Sequence, residues 1–153
     1  MKGRFWLMKS EPHVYSIDDL ERDGSAPWTG IRNYEARNTM RDEMRKGDEV
    51  LFYHSSTTPP GVAGIARVCR EAYPDFTAFD EEHTYHDPKS NPDAPRWYMV
   101  DVEFVEKFPT FVTLRELKGI PELADMVLLN RMRLSVQPVR PREFELVAEL
   151  GRR

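Results

Sequence analysis

The chain has 153 residues, of which 40% are hydrophobic and 31% are charged, a composition typical of a single globular domain spanning residues 1–153. Its formal net charge of −4 argues against binding nucleic acid by bulk phosphate neutralisation, so any nucleic-acid function must rest on a local site. No apolar run approaches the roughly 20 residues of a membrane span, and no secretory signal is visible. The single cysteine cannot form an internal disulfide. We therefore expect a cytoplasmic protein without membrane contact.

The N-terminal third predicts one strand and two helices. The bulky apolar run at 4–8 is typical of a buried strand. Ser16, with Asp19 three residues later, forms a capping-box pattern that predicts a short helix at 16–22. The segment 25–30, SAPWTG, is expected to be a turn, and the helical spacing that follows predicts a second helix ending at Gly47.

The remaining elements alternate between strands and short helices. Strands are predicted at 49–55, 62–71, 96–108 and 132–139, and helices at 114–118 and 140–151. The segment 73–95 is rich in proline and acidic residues and has no period, so we expect a long loop, which is often functional. Some five strands with short helices between them predict an α+β domain built round a small, mostly antiparallel barrel.

The stretch "WTGIRNYEARN" concentrates planar hydrogen-bonding groups beside aromatic rings. Arginine offers a rigid fork of donors, asparagine offers both a donor and an acceptor, and aromatic faces can stack. These are the elements that grip a nucleobase by edge and face. The alternative is that the asparagine at the helix start only caps, that the arginines are solvated and that the rings are core. The candidates are Trp28, Arg32, Asn33, Tyr34, Arg37 and Asn38.

Two histidine motifs could indicate nucleophilic catalysis or metal binding, but the residues around them do not support either role. His54 and Ser55 end a strand, but adjacent strand residues face opposite ways and no G-x-S-x-G elbow is present, so a polar pair at a pocket mouth is favoured over a nucleophile and its base. His83 and His86 lie three apart without a cysteine or H-E-x-x-H frame, so no metal site is expected.

Polar residues at two other strand ends are further candidates. Ser10 could hydrogen-bond a ligand or cap a turn, and Gln137 could read a base edge or satisfy backbone groups. No dinucleotide-binding or Walker motif is present, so no cofactor and no catalytic residue is predicted.

Several motifs together resemble the EVE domain family of the PUA-like superfamily. They include "FWLMKSEP", "W-x-G-I-R-N-Y-x-A-R-N", "GDEVLFYHSSTTPPGVAGIARV" and "RWYMVDVEFVEKF", in order along nearly the whole chain. The resemblance implies a PUA-like mixed barrel, mostly antiparallel, flanked by short helices. It also implies a reader of modified bases, with modified cytosine in DNA the usual proposal and RNA an alternative.

The resemblance assigns a ligand pocket to ten residues. Trp28 or Tyr34 would stack the base, and Asn33 and Gln137 would read its edge. Two arginines would hold phosphate or a carbonyl, and small polar groups would complete the rim. The full set is Ser10, Trp28, Arg32, Asn33, Tyr34, Arg37, Asn38, His54, Ser55 and Gln137.

Two rival functions remain open. One is a small enzyme acting on nucleotides through His54, and the other is a protein-interaction module that uses the 73–95 loop. The expected partner is a nucleic acid with a modified base, and a monomer is favoured.

Overall fold

The computed structural model describes residues 3–153. Its strands are β1 (Phe5–Ser10), β2 (Ser25–Pro27), β3 (Glu49–His54), β4 (Gly61–Pro74), β5 (Tyr98–Thr113) and β6 (Val136–Val139). Its α-helices are α1 (Ile17–Asp23), α2 (Tyr34–Asp42), α3 (Leu114–Lys118), α4 (Val127–Asn130) and α5 (Pro141–Gly151), with 3-10 turns at Phe76–Phe79 and Pro121–Leu123. Within residues 3–153, no helix has the length and apolarity needed to span a bilayer.

The strands form one mixed sheet in the order β2-β5-β4-β3-β1-β6. All neighbouring pairs are antiparallel except β1 and β3, which run parallel because the chain between them crosses over through α1, β2 and α2. The predicted α+β class, with a mostly antiparallel sheet, is therefore confirmed. Strands β2 and β6 remain at opposite edges without pairing to each other in residues 3–153, so the closed barrel is not confirmed.

The sheet has a hydrophobic core on each face, which explains the unbroken apolar run in β1. Trp6 and Met8 point into one core with α1 and α2, whereas Leu7 points into the other, beneath α3 and α5. Successive strand residues face opposite sides of the sheet. The part of β1 that is covered on both faces is therefore apolar at successive positions, and the strand becomes polar only at its half-buried last residues, Lys9 and Ser10.

Several boundaries differ from the predictions: β6 begins at Val136 rather than at residue 132, and β5 ends at Thr113 rather than at residue 108. Two further differences have a clear structural cause. Helix α2 ends at Asp42 rather than near Gly47, because the buried carboxylate of Asp48 accepts hydrogen bonds from the Arg45 N–H (2.9 Å) and from the Trp6 indole (2.9 Å), which holds the chain in a turn. Residues 25–27, predicted as part of a turn, form the edge strand β2 because β5 is long enough to pair with them.

The segment predicted as a long loop, 73–95, contains a 3-10 turn and is hydrogen-bonded to the rest of the domain. It begins with the 3-10 turn Phe76–Phe79 and returns to the start of β5, where the Asp75 N–H donates to the Trp97 carbonyl at 2.9 Å. The Trp97 indole in turn donates to Asp87 at 2.6 Å. These bonds tie both ends of the segment to the body of the domain, although it lies mostly outside the sheet.

Candidate functional site

A cavity of about 920 Å³ opens where the ends of β1 and β3 meet β2 and the 3-10 turn. Its volume lies within the range of roughly 300–1,000 Å³ that ligand sites occupy. Five aromatic side chains line it, namely Tyr15, Trp28, Tyr53, Phe76 and Tyr85. Aromatic walls of this kind can hold a planar ligand by its faces.

Polar groups from the ends of the strands complete the lining. The Ser10 hydroxyl donates to the Tyr15 carbonyl at 2.5 Å, and the Ser55 N–H donates to the Ser10 carbonyl at 2.9 Å, which joins the ends of β1 and β3. Lys9 Nζ donates to the Met132 carbonyl at 2.6 Å, and burial lowers the pKa of Lys9. Both serines and the lysine line the cavity, so hydrogen-bonding groups lie beside the aromatic walls.

Trp28 is the aromatic candidate that the structure places in the cavity wall. Its ring packs edge-on against Phe52, with the centroids 5.4 Å apart, and only 7% of the residue is exposed. Its backbone N–H donates to the Val100 carbonyl at 2.8 Å. The indole is thus fixed by the core on one side and open to the cavity on the other.

Arg32 is bound to the protein rather than free for a ligand. Its guanidinium donates to the fully buried Asp75 carboxylate at 3.1 Å and to the Tyr85 carbonyl at 2.6 Å. Asp75 also accepts from the Gly30 N–H at 2.8 Å and from the Thr77 N–H at 2.9 Å. These bonds join the loop before α2 to the 3-10 turn, and both segments line the cavity.

Three further candidates pack together on the outer side of α2. Tyr34 stacks on Trp97 with the centroids 4.9 Å apart, and the Arg37 guanidinium lies 4.7 Å from the Tyr34 ring centroid. Arg37 donates to the Arg96 carbonyl at 2.9 Å and to the Asn38 side chain at 2.7 Å. None of the three candidates Tyr34, Arg37 and Asn38 is among the residues that line the cavity.

The two amide candidates bond to backbone groups. Asn33 caps α2 by accepting from the Ala36 N–H at 2.9 Å, and it borders a smaller neighbouring cavity of about 300 Å³. Gln137 is fully buried, and its Nε2 donates to the Leu134 carbonyl at 2.8 Å. Its Oε1 has no hydrogen-bond partner among residues 3–153. Both side chains support the segments around the cavity, and neither lines it.

His54 is held as a hydrogen-bond acceptor at the start of α1. Its Nε2 accepts from the Ile17 N–H at 3.1 Å, which requires an unprotonated Nε2. Burial lowers the pKa of His54; the Asp18 charge opposes this shift and the Lys107 charge adds to it. His54 does not line the cavity, and no cluster of three or more His, Cys, Asp or Glu side chains in residues 3–153 is arranged to hold a metal ion.

Three of the ten predicted residues, Ser10, Trp28 and Ser55, therefore line the cavity together. Other residues that line the cavity were not predicted from the sequence, among them Lys9, Tyr53, Phe76, Tyr85, Met132 and Arg133. Lys9 directly precedes the predicted residue Ser10, so its place at the end of a strand could have indicated that it also lines the cavity. Phe76 and Tyr85 lie in a segment predicted as a loop, where no periodicity indicates which side chains face inward.

The sequence profile of the EVE domain matches residues 4–150. The chain belongs to the EVE domain family. The family recognised from the motifs is therefore confirmed. This EVE domain is similar to a solved hypothetical protein of Leishmania major, with 51% identity, coverage of 98% of this chain and 95% of that one, and a TM-score of 0.95.

This EVE domain also has curated relatives. It is 42% identical to human thymocyte nuclear protein 1, over 95% of this chain and 72% of the human one. The solved human protein in complex with DNA containing 5-methylcytosine is 40% identical, with a TM-score of 0.91 and coverage of 99% of both chains.

Proposed function

We propose that this EVE domain reads a modified base in DNA, with modified cytosine as the first candidate, by holding the base in the aromatic cavity. The observation that carries the proposal is the cavity of about 920 Å³ with Trp28 fixed in its wall and Lys9, Ser10 and Ser55 beside it. The DNA complex of the human relative supports cytosine modified at carbon 5 and supports DNA as the polymer.

The cavity offers the two interactions that base recognition needs. The Trp28 ring is held in place by its burial and by its contact with Phe52. Stacking of a base on an aromatic ring contributes roughly 1–3 kcal/mol per base. Lys9 Nζ has three donor positions, of which the Met132 carbonyl takes one, so it can also donate to a ring nitrogen or a carbonyl of the base. Stacking and donors together would fix the base by face and edge.

The arginines and amides of the sequence motif take supporting roles in this proposal. Arg32 and Asn33 hold the loop and the helix start beside the cavity, and Gln137 supports the 131–134 segment. Arg133 is exposed, lines the cavity and has no hydrogen-bond or ion-pair partner within residues 3–153. We therefore assign phosphate contact to Arg133 rather than to Arg32.

The alternatives have less support from the geometry. A modified base in RNA would meet the same aromatic walls, so the polymer has to be measured. An enzyme using His54 is disfavoured because its Nε2 already accepts the Ile17 N–H. A protein-interaction module based on the 73–95 loop would leave the aromatic cavity without a role.

A binding titration at low salt tests the proposal. Short single-stranded DNA and RNA would carry cytosine, 5-methylcytosine, 5-hydroxymethylcytosine or N6-methyladenine. We expect at least about tenfold preference for one modified base, lost on Trp28→Leu, because stacking supplies much of the affinity. Equal, weak and steeply salt-dependent binding to every oligonucleotide would instead mean that only phosphates are contacted, and the proposal would fail.

A further inference from the structure

The exposed apolar side chains of this domain concentrate at the mouth of the cavity. Four large hydrophobic residues in the described chain are exposed, and three of them, Val14 (60%), Phe76 (54%) and Met132 (54%), line the cavity. The fourth, Tyr34, stacks on Trp97. Single exposed apolar residues are common, but three around one opening indicate a surface that is covered when the ligand binds.

Met132 lies between two arginines on a segment whose backbone is anchored. Lys9 Nζ donates to the Met132 carbonyl at 2.6 Å, while the Met132 side chain extends into solvent. On one side Arg131 pairs with Glu35 at 2.8 Å, and on the other Arg133 is exposed. An apolar tip beside Arg133, whose charge has no carboxylate partner within residues 3–153, is suited to a nucleic-acid duplex, which has a polyanionic surface and an apolar stack of bases inside.

Phe76 has a comparable setting in a different part of the chain. Its neighbours Asp75 and Thr77 are buried at 0% and 3% exposure, and the Asp75 carboxylate accepts from the Thr77 N–H at 2.9 Å. The backbone beneath the Phe76 ring is therefore fixed while the ring itself is more than half exposed. A rigid support means that little conformational freedom of the backbone is lost when the ring enters a partner.

We propose that Met132 and Phe76 act as wedges that enter the base stack of duplex DNA and occupy the space that the extruded base leaves. This inference rests on the proposed function, because a base bound in the cavity must first leave the duplex. Apolar side chains inserted between base steps are an established way to stabilise such a distorted duplex. Both residues line the mouth of the cavity with more than half of their surface exposed, so their main contribution would be to the distorted duplex rather than to the base held deeper inside.

Duplex DNA fits this surface better than a protein partner does. The apolar tips adjoin a cavity with aromatic walls and lie beside Lys9 and Arg133, which suit an extruded nucleotide and its flanking phosphates. Two carboxylates also line the cavity, but Glu11 pairs with His13 at 3.2 Å and Asp23 accepts hydrogen bonds from Arg22 and Tyr15. A protein partner would have to cover the cavity together with its cationic groups.

The test compares duplex and single-stranded DNA of one sequence with the same modified base. The double variant Met132→Ala/Phe76→Ala is measured beside Met132→Leu/Phe76→Leu, which keeps apolar side chains at both positions. We expect the duplex affinity of the alanine variant to fall by about tenfold or more, and by at least about fivefold more than its single-strand affinity, because a single strand needs no wedge. The leucine variant should stay within about threefold of the wild type on both ligands.

A second readout reports the stack directly. The fluorescent base 2-aminopurine, placed opposite thymine and next to the modified base on the same strand, brightens when it loses a stacking neighbour. We expect wild type to brighten it in the duplex, and the alanine variant to require a higher protein concentration for the same signal.

The outcomes separate the inference from the proposed function. Wild type that shows no preference for any modified base on either ligand overturns both. Wild type with a preference, but with equal losses in the alanine variant on duplex and single strand, or with no loss on either, overturns the wedge and leaves the reader function intact. A loss confined to the duplex supports the wedge.

Discussion

The carboxylate of Asp75 accepts a hydrogen bond from the Arg32 guanidinium at 3.1 Å across 43 positions of sequence. Asp75 is fully buried, and one quarter of the Arg32 side chain is exposed. This pair joins the loop before α2 to the 3-10 turn that carries Phe76, so it sets the distance between two walls of the cavity. Arg32 thus stabilises the position of the cavity walls without lining the cavity itself.

Asp75→Asn should destabilise the domain by about 3 kcal/mol, because it leaves a partly buried guanidinium without its counter-charge. Urea denaturation followed by circular dichroism measures this. Asp80→Asn, in the same segment, is the control: Asp80 is exposed, and its substitution should change the free energy of unfolding by less than about 0.5 kcal/mol. Equal effects of the two substitutions would show that the Asp75–Arg32 pair does not stabilise the fold.

Gly30→Ala should distort the cavity wall. Gly30 has a φ of +83°, and an added Cβ would lie 2.5 Å from the Tyr85 ring. Gly47 has a φ of +97° with no atom within 4 Å of an added Cβ, so Gly47→Ala carries the backbone strain alone. We expect about 1–2 kcal/mol of destabilisation from the strain at either position and about 1–3 kcal/mol more at Gly30 from the clash. Thermal denaturation of both variants would show whether this difference exists.

Trp28→Leu and Tyr34→Leu should have different effects on binding, although both residues belong to the same sequence motif. Trp28 lines the cavity, and its loss should weaken binding of a single-stranded modified oligonucleotide by about tenfold or more. Tyr34 stacks on Trp97 outside the cavity, so Tyr34→Leu should have a smaller effect. Fluorescence anisotropy measures both, and a larger loss at Tyr34 would place the base on the α2 surface instead.

Arg133→Ala should lower the salt dependence of binding. A phosphate contact contributes about one to the slope of log affinity against log salt concentration, so removing Arg133 should reduce the slope by about one. Arg142 on α5 is an exposed arginine that does not line the cavity, and Arg142→Ala should leave the slope unchanged. If Arg133→Ala leaves the slope intact, the phosphates are held elsewhere.

The free energy of unfolding should decrease as the pH is lowered, because the pKa of His54 is lower in the folded chain than in the unfolded chain. Burial holds the pKa of folded His54 below its ordinary value of 6.5, which we take for the unfolded chain. Below that value the unfolded chain binds more protons than the folded one, so stability is complete above about pH 6.5 and falls as the pH drops toward the folded pKa.

Urea titrations at about pH 7.5 and about pH 5.5 test this prediction. His54→Gln retains an acceptor for the Ile17 N–H but does not titrate, so it should show a smaller difference between the two pH values. The same difference in His54→Gln and in the wild type would assign the pH effect to other groups.

The sequence by itself determined the local elements and the family. Apolar runs predicted β1 and β3 closely, and a proline near the start with a glycine at the end predicted α5, because a strand buried on both faces and a helix with a proline start leave a local signature. The motif around Trp28 identified an EVE domain and one wall of its cavity.

Only the tertiary structure decided which polar side chains face the cavity and which ones bond to other parts of the protein. Arginine and asparagine can bind a ligand or a backbone group equally well, and the partner of Arg32, Asp75, lies far along the chain in a segment without periodicity. Likewise, nothing local distinguishes Phe76 and Met132 from core residues, since burial depends on what packs against a side chain and not on the side chain itself. The site is formed by segments that are distant in the sequence and lie together at the ends of β1 and β3, so only the folded chain reveals it.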